Sequence, residues 1–173
     1  MTTLITGGSK CGKSRFAESL LLSHSGQRRY LATMQPFGAD AERAIARHRE
    51  MRAGKGFFTI EQYTDLHMLM LPPHCGVLLE CLCNLTANEM FRPDPAPDVL
   101  SHIMHGIRHL QQQAEQLVIV TGQVGSDGIR YPAETNAYIA LLGAVSRETA
   151  ALADTVYECV YGIPVLLKGA ASC

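Results

Sequence analysis

The chain has 173 residues, 47% of them hydrophobic and 18% charged, with a formal net charge of −1 at pH 7. This length buries a sizeable core within one domain, 1–173, and the composition excludes a disordered or low-complexity chain. The near-neutral balance excludes a general basic field, and with it charge-driven binding to nucleic acid or to a membrane surface.

Thr2–Thr6 is a short β-branched run and reads as the first strand. Residues 7–14 follow it as Gly7-Gly8-Ser9-Lys10-Cys11-Gly12-Lys13-Ser14, the pattern G-x-x-x-x-G-K-[ST]. The backbone N–H groups of such a loop form a concave nest for a triphosphate. The helix that follows points its positive end at the same anion. Lys13 is placed to reach the β- and γ-phosphates, and the Ser14 hydroxyl to hold Mg²⁺. Lys13 to His24 predicts that helix, with Phe16, Ala17, Leu20, Leu21 and His24 on related faces. A plain Gly-rich turn with a surface lysine explains the glycines, but not Lys and Ser at that spacing.

Arg29 to Thr33 reads as strand two, Asp40 to Arg52 as a charged helix, and Phe57 to Gln62 as strand three. Thr64 to Leu71 reads as a short helix that ends at Pro72-Pro73. Gly76 to Glu80 is an apolar strand closed by a carboxylate, and the prolines at 93, 95 and 97 make a loop. A helix runs from Pro97 or Asp98 to Glu115, with Asp98 as an N-terminal charge. Leu117 to Thr121 is the clearest buried strand. Gly122 to Pro132 is a loop and Glu134 to Leu152 a long helix. Val156–Tyr161 and Val165–Lys168 close the sheet as a hairpin through Gly162-Ile163-Pro164. Alternating strands and helices imply an α/β fold, a mostly parallel sheet with helices on both faces. Ligands of such sheets bind beyond the carboxyl ends of the strands. The loop at 7–14, the segment after Thr33, Glu80 and the loop at Gly122 all fall on that edge.

Glu80 stands where P-loop proteins often place a second metal-holding group; the alternative is a solvated strand end. His48 lies among arginines in Arg47-His48-Arg49, with Ala44 and Arg52 on its helical face. Neighbouring positive charge favours a neutral imidazole, which is a nucleophile, and the same arginines bind phosphate oxygens. A charged solvent face is the alternative. His102, His105 and His109 recur at i, i+3, i+7, a spacing that suits a metal but more ordinarily marks a solvated helix face. The six cysteines form no C-x-x-C pair. No signal-peptide pattern is present, so they read as free thiols in a reducing cytoplasm, Cys81 and Cys83 as buried apolar residues rather than a zinc pair. No apolar run approaches the ~18–20 residues of a membrane span.

Over nearly its whole length the chain resembles the bifunctional adenosylcobinamide kinase/adenosylcobinamide-phosphate guanylyltransferase family of cobalamin biosynthesis. The resemblance rests on collinear motifs: Thr6 to Arg15 with Ala17-Glu18, Tyr30-Leu31-Ala32-Thr33, Ile45-Ala46-Arg47-His48-Arg49 with Arg52, Leu78-Leu79-Glu80-Cys81-Leu82 with Asn88, Val124-Gly125, Pro132, Ala153-Asp154-Thr155-Val156 and Gly162-Ile163-Pro164. It implies a RecA-like P-loop NTPase, a three-layer sandwich with a C-terminal hairpin. It implies phosphorylation of adenosylcobinamide by ATP or GTP, then transfer of GMP from GTP to the product, with Mg²⁺. The family's histidine that carries GMP matches His48. Thr33, Arg52 and Glu80 join residues 7–14 as nucleotide-binding positions, and Ser14 and Glu80 as the metal pair. A homo-oligomer, a trimer in the family, is implied, with corrinoid and nucleotide as the only partners. Where the family has Asn-Glu, this chain has Gly122-Gln123, and the polar pattern of the following helix, aligned on Gly143, is mostly lost. Two other readings fit the same residues: a plain small-molecule P-loop kinase, and a nucleotide-binding homologue with one or both activities lost.

Overall fold

The strands and helices alternate as β1 (Thr2–Thr6), α1 (Lys13–Leu22), β2 (Gln27–Ala32), α2 (Gly38–Arg52), β3 (Phe57–Glu61), β4 (Cys75–Glu80), α3 (Leu82–Phe91), α4 (Val99–Gln113), β5 (Gln116–Val120), α5 (Ala133–Leu152), β6 (Thr155–Val160) and β7 (Ile163–Lys168). The computed structural model describes residues 1–170, apart from the side chains of residues 40, 41, 44, 48 and 51. The strands form one sheet in the order β3-β2-β4-β5-β1-β6-β7. Every described pairing is parallel except that of β6 with β7.

Alternation along each strand splits the core into two. Leu4, Leu31, Val77, Leu79, Leu117, Ile119 and Val156 face one side, where they pack with Leu82 and Leu85 of α3, Ile103, Met104, Ile107 and Leu110 of α4, and Leu142 and Val145 of α5. Ile5, Tyr30, Leu78, Val118, Val120 and Cys159 face the other, against Ala17 and Leu21 of α1. β1 and β5 are therefore neighbours whose following helices go to opposite faces. Between two such strands the carboxyl edge opens into a crevice. Register aligns that edge: Glu61, Ala32, Glu80 and Val120 stand in one row, and Thr6 pairs with Glu158.

The three-layer α/β arrangement and the hairpin match the expectation, with three local differences. First, residues 82–91 form α3, for which no element was expected. Cys83, Asn84, Thr86 and Asn88 are weak helix formers set among strong ones, and they blur its signal. Its buried residues, Leu82, Leu85, Thr86 and Glu89, nevertheless fall at i, i+3, i+4, i+7. Second, the helix expected over 64–71 is only one 3-10 turn, Leu66–Met68. The backbone beyond it is extended and is held by α4: Leu71 N–H donates to Gln113 at 2.9 Å, and Gln113 donates to the Leu69 carbonyl at 3.0 Å. Third, the hairpin turns at Tyr161-Gly162, with φ of 50° and 84°, and Pro164 lies inside β7. Positive φ at both central residues gives the turn a twist that matches its strands. Pro164 is tolerated because β7 is the sheet edge. Asp98 caps α4 as expected, accepting from the Ser101 N–H at 3.0 Å.

Candidate active site

Residues 7–14 connect β1 to α1 at the crevice. Gly7 has φ of 145°, and a Cβ there would lie 2.6 Å from the Cys159 carbonyl oxygen and 2.8 Å from Cys11 Sγ. Glycine lets the loop pass this close to β6. The hairpin tip braces the loop, Gly162 N–H donating to the Cys11 carbonyl at 2.8 Å, and Gln123 N–H donates to the Gly7 carbonyl at 3.2 Å. No acidic side chain occupies the first turn of α1 and no side chain caps it, so its positive end faces the loop uncompensated. The Lys13 ammonium rests on the Gly8 carbonyl and 3.7 Å from Cys11 Sγ.

The Ser14 hydroxyl donates directly to the Glu80 carboxylate. Two residues expected to share a cation therefore meet across the crevice, and their hard oxygen donors fit Mg²⁺. Tyr30 donates its hydroxyl to the other Glu80 oxygen at 3.0 Å. Burial, and then the Glu80 charge, push the Tyr30 phenol well above its ordinary range, so it stays a donor. Arg52 stacks over the Tyr30 ring at 3.3 Å from its centroid. Arg52 is only 7% exposed, and its Nη1 is buried with no hydrogen-bond partner. An orphaned guanidinium nitrogen at a cavity wall is suited to a phosphate oxygen.

Thr33 sits beneath the site rather than in its wall. It is buried, its hydroxyl donates to the Cys81 carbonyl at 2.9 Å and accepts from the Cys81 N–H at 2.7 Å. Thr33 N–H donates to the Glu80 carbonyl at 3.1 Å, and Asn88 donates to the Thr33 carbonyl at 2.8 Å. These bonds fasten the ends of β2 and β4, and so aim Glu80. His48 lies in α2 between Arg47 and Arg49, which line the cavity; its own side chain lies outside the described residues.

The cavity measures about 1530 Å³, against ~300–1,000 Å³ for clefts that take one small molecule. Its lining joins the 8–14 loop to Tyr30, Arg47, Arg49, Arg52, Glu80 and the hairpin tip. Cys83 and Glu158 also line it, and sequence reasoning gave neither a role there. The Cys81 thiol, donating to Cys83, holds Cys83 down to about 6; the Gly122 N–H, at 3.1 Å, and Lys13 act the same way against burial. That same bond, and then burial, push Cys81 well up. Gln123 donates to Glu158 at 2.7 Å, so a carboxylate stands beside the position where the resemblance expects one. Among the described residues no side chain of α5 lines the cavity, and Gly143 faces open space. The lost polar pattern of that helix therefore falls outside this chain's own pocket wall.

The model of the family described as cobinamide kinase / cobinamide phosphate guanyltransferase matches residues 3–167. The chain is 31% identical to the bifunctional adenosylcobalamin biosynthesis protein CobU of Escherichia coli (strain K12), over 97% of this chain and 100% of that one. It is 29% identical to the protein of the same name from Salmonella typhimurium (strain LT2), over the same shares of 97% and 100%. It is 26% identical to the bifunctional adenosylcobalamin biosynthesis protein CobP of Pseudomonas aeruginosa, over 98% of each. A phosphate loop facing a carboxylate and an arginine-bearing helix in one crevice agrees with this similarity along the full chain, and the chain belongs to the cobinamide kinase / cobinamide phosphate guanyltransferase family.

Proposed function

We propose that this protein phosphorylates adenosylcobinamide and then transfers GMP from GTP to adenosylcobinamide phosphate through a guanylylated His48, in nucleotide-loop assembly of adenosylcobalamin. The observation that carries the reading is convergence: the 8–14 loop, the Ser14–Glu80 contact and the α2 arginines line one cavity. In the kinase step the corrinoid's hydroxyl oxygen attacks the γ-phosphorus, the bond to the β-phosphate oxygen breaks, and the hydroxyl proton is released. In the guanylyl step the His48 imidazole attacks the α-phosphorus of GTP and pyrophosphate leaves. A phosphate oxygen of the corrinoid then displaces His48 from phosphorus, restoring the imidazole. Splitting one displacement into two lets the imidazole serve first as attacking group and then as leaving group. Lys13 and the loop N–H groups neutralise charge that grows on the phosphates, and Arg47, Arg49 and Arg52 extend that role along the cavity. Ser14 and Glu80 would hold Mg²⁺, which screens the phosphate oxygens when bound. Cys11, Ser9, Lys10, Gly8 and Gly12 contribute backbone to the nest.

Incubation with GTP labelled on the α-phosphate should leave an acid-labile label on the chain. His48→Asn should abolish labelling while nucleotide binding persists; surviving label would displace His48 as the nucleophile. A second reading, a nucleotide-binding homologue with an activity lost, is favoured by Gln123 standing where a carboxylate is expected. It requires GTP binding without pyrophosphate release when adenosylcobinamide phosphate is supplied. The same proposal includes a cytoplasmic location and a homo-oligomer, a trimer by resemblance to the family, and the exposed apolar residues Tyr161, Ile163, Val165 and Leu167 of the hairpin support an interface between copies. Sedimentation equilibrium at micromolar concentration tests it. Among the described residues no helix is long and apolar enough to cross a membrane.

A further inference from the structure

Away from the nucleotide cavity, side chains from segments distant in sequence meet. Asp65 and His67 flank Leu66 at the 3-10 turn, and His102 stands near the start of α4. One ligand atom of each, a carboxylate oxygen and two imidazole nitrogens, all lie within 4.8 Å of one another. His102 Nε2 is 3.0 Å from Asp65 Oδ1 and 3.5 Å from Glu89 Oε1. The His67 and His102 rings meet edge to face with centroids 5.0 Å apart, and His67 stacks on His105 at 5.5 Å. His67 Nδ1 is buried without a hydrogen-bond partner. Arg92 steadies the carboxylates, its Nη1 donating to Asp65 Oδ1 at 3.0 Å, to Asp65 Oδ2 at 2.9 Å and to Glu89 Oε2 at 3.1 Å. The Asp65 N–H donates to Glu89 Oε1 at 2.6 Å. None of these residues lines the nucleotide cavity.

We propose that Asp65, His67 and His102 form a site for a borderline divalent transition metal of the zinc class, separate from the phosphate-loop cation. Two imidazoles and one carboxylate suit such an ion, whereas magnesium requires mostly oxygen donors. Metal–ligand bonds of ~2.0–2.1 Å in a tetrahedron put ligand atoms roughly 3.4 Å apart. The His102–Asp65 spacing is already close to that, and small rotations bring His67 in. The metal takes the place of the hydrogen between His102 Nε2 and Asp65, and the neutral imidazole then carries its one proton on Nδ1. Arg92 becomes the outer partner that orients the Asp65 carboxylate through Oδ2, as ligating carboxylates require. Its charge cancels that of Glu89, which leaves the negative charge of Asp65 facing the cation. Three protein ligands leave a fourth position for water or for exposed His105. An occupied site ties the turn after β3 to α4, so it clamps a segment whose backbone is otherwise held by α4 side chains at Leu69 and Leu71.

The test uses tag-free, metal-stripped full-length protein titrated calorimetrically with Zn²⁺ in saturating Mg²⁺. One Zn²⁺ per chain is expected, with affinity lowered by more than about 100-fold in His67→Ala/His102→Ala and unchanged in Cys81→Ser/Cys83→Ser. Substitution with Co²⁺ should give tetrahedral visible bands without thiolate charge-transfer absorption. Equal Zn²⁺ affinity in the histidine variant, loss only in the cysteine variant, or no stoichiometric binding each overturns the proposal. Should the double histidine variant fail to fold by circular dichroism, Asp65→Asn provides the same comparison with the ring packing kept intact.

Discussion

Cys83 shows how far a residue's chemistry depends on its neighbours. Its thiol accepts from Cys81 and from the Gly122 N–H, and its acidity moves to about 6 from an ordinary thiol value near ~8.5. The thiolate is the nucleophile, so reactivity follows ionisation upward in pH. Alkylation by iodoacetamide at Cys83, followed by peptide mass spectrometry, should accelerate as pH rises through about 6 and level off by neutrality. In Cys81→Ala the rise should move toward the ordinary thiol range, since the largest cause is removed. GTP should slow the alkylation, because Cys83 lines the same cavity as the phosphate loop. The sequence shows Cys81 and Cys83 alternating past a strand end, which suggests burial. It does not show that Gly122, far along the chain, supplies the N–H. Tyr30 is a similar case, visible in a motif but given its role by Glu80 from another strand.

At the scale of elements, an ion pair ties α1 to the segment between α2 and β3. Lys55 donates to Glu18, whose side chain is 1% exposed while the lysine's is 33% exposed. The other Glu18 oxygen is buried without a partner. Removing the cation leaves an uncompensated buried carboxylate, so Lys55→Ala should destabilise the protein by about 3 kcal/mol in urea unfolding. Glu18→Gln/Lys55→Met should recover most of that loss, because a neutral pair has no charge to desolvate. Elements with a strong local signal were legible: β1 by its β-branched run, β5 by its aliphatic one, α4 by its capping Asp98, and α1 by the phosphate loop before it. α3 was not, because Cys83, Asn84, Thr86 and Asn88 interrupt its helix formers and its buried period is partly carried by Thr86 and Glu89. The 64–71 segment misled for the opposite reason. Its apolar residues suggested a helix, but Gln113 and His109 of α4 take its backbone groups and hold it extended.

At the scale of the whole molecule, the two faces of the sheet have different duties. The face covered by α3, α4 and α5 carries the larger core, and the carboxyl edge above the α1 face holds the nucleotide cavity. Ile107→Ala, in the scaffold core, should therefore cost about 3 kcal/mol of stability with GTP affinity unchanged. A parallel loss of GTP affinity would show that the scaffold also sets the site. The sequence by itself determined the phosphate loop, because its function needs only contiguous spacing: glycines, Lys13 and Ser14 act on one anion within a single turn of chain. It also determined the α/β class, because alternating periods of two and 3.6 admit few packings. Only the tertiary structure decided which strand ends adjoin. Strand order brings Glu80 to Ser14 and Gln123 to Glu158, and the packing of α2 and α4 brings Arg52 to Tyr30 and His102 to Asp65. Each pairing joins residues whose separation in sequence says nothing of their distance, since sheet order follows from how helices cover both faces.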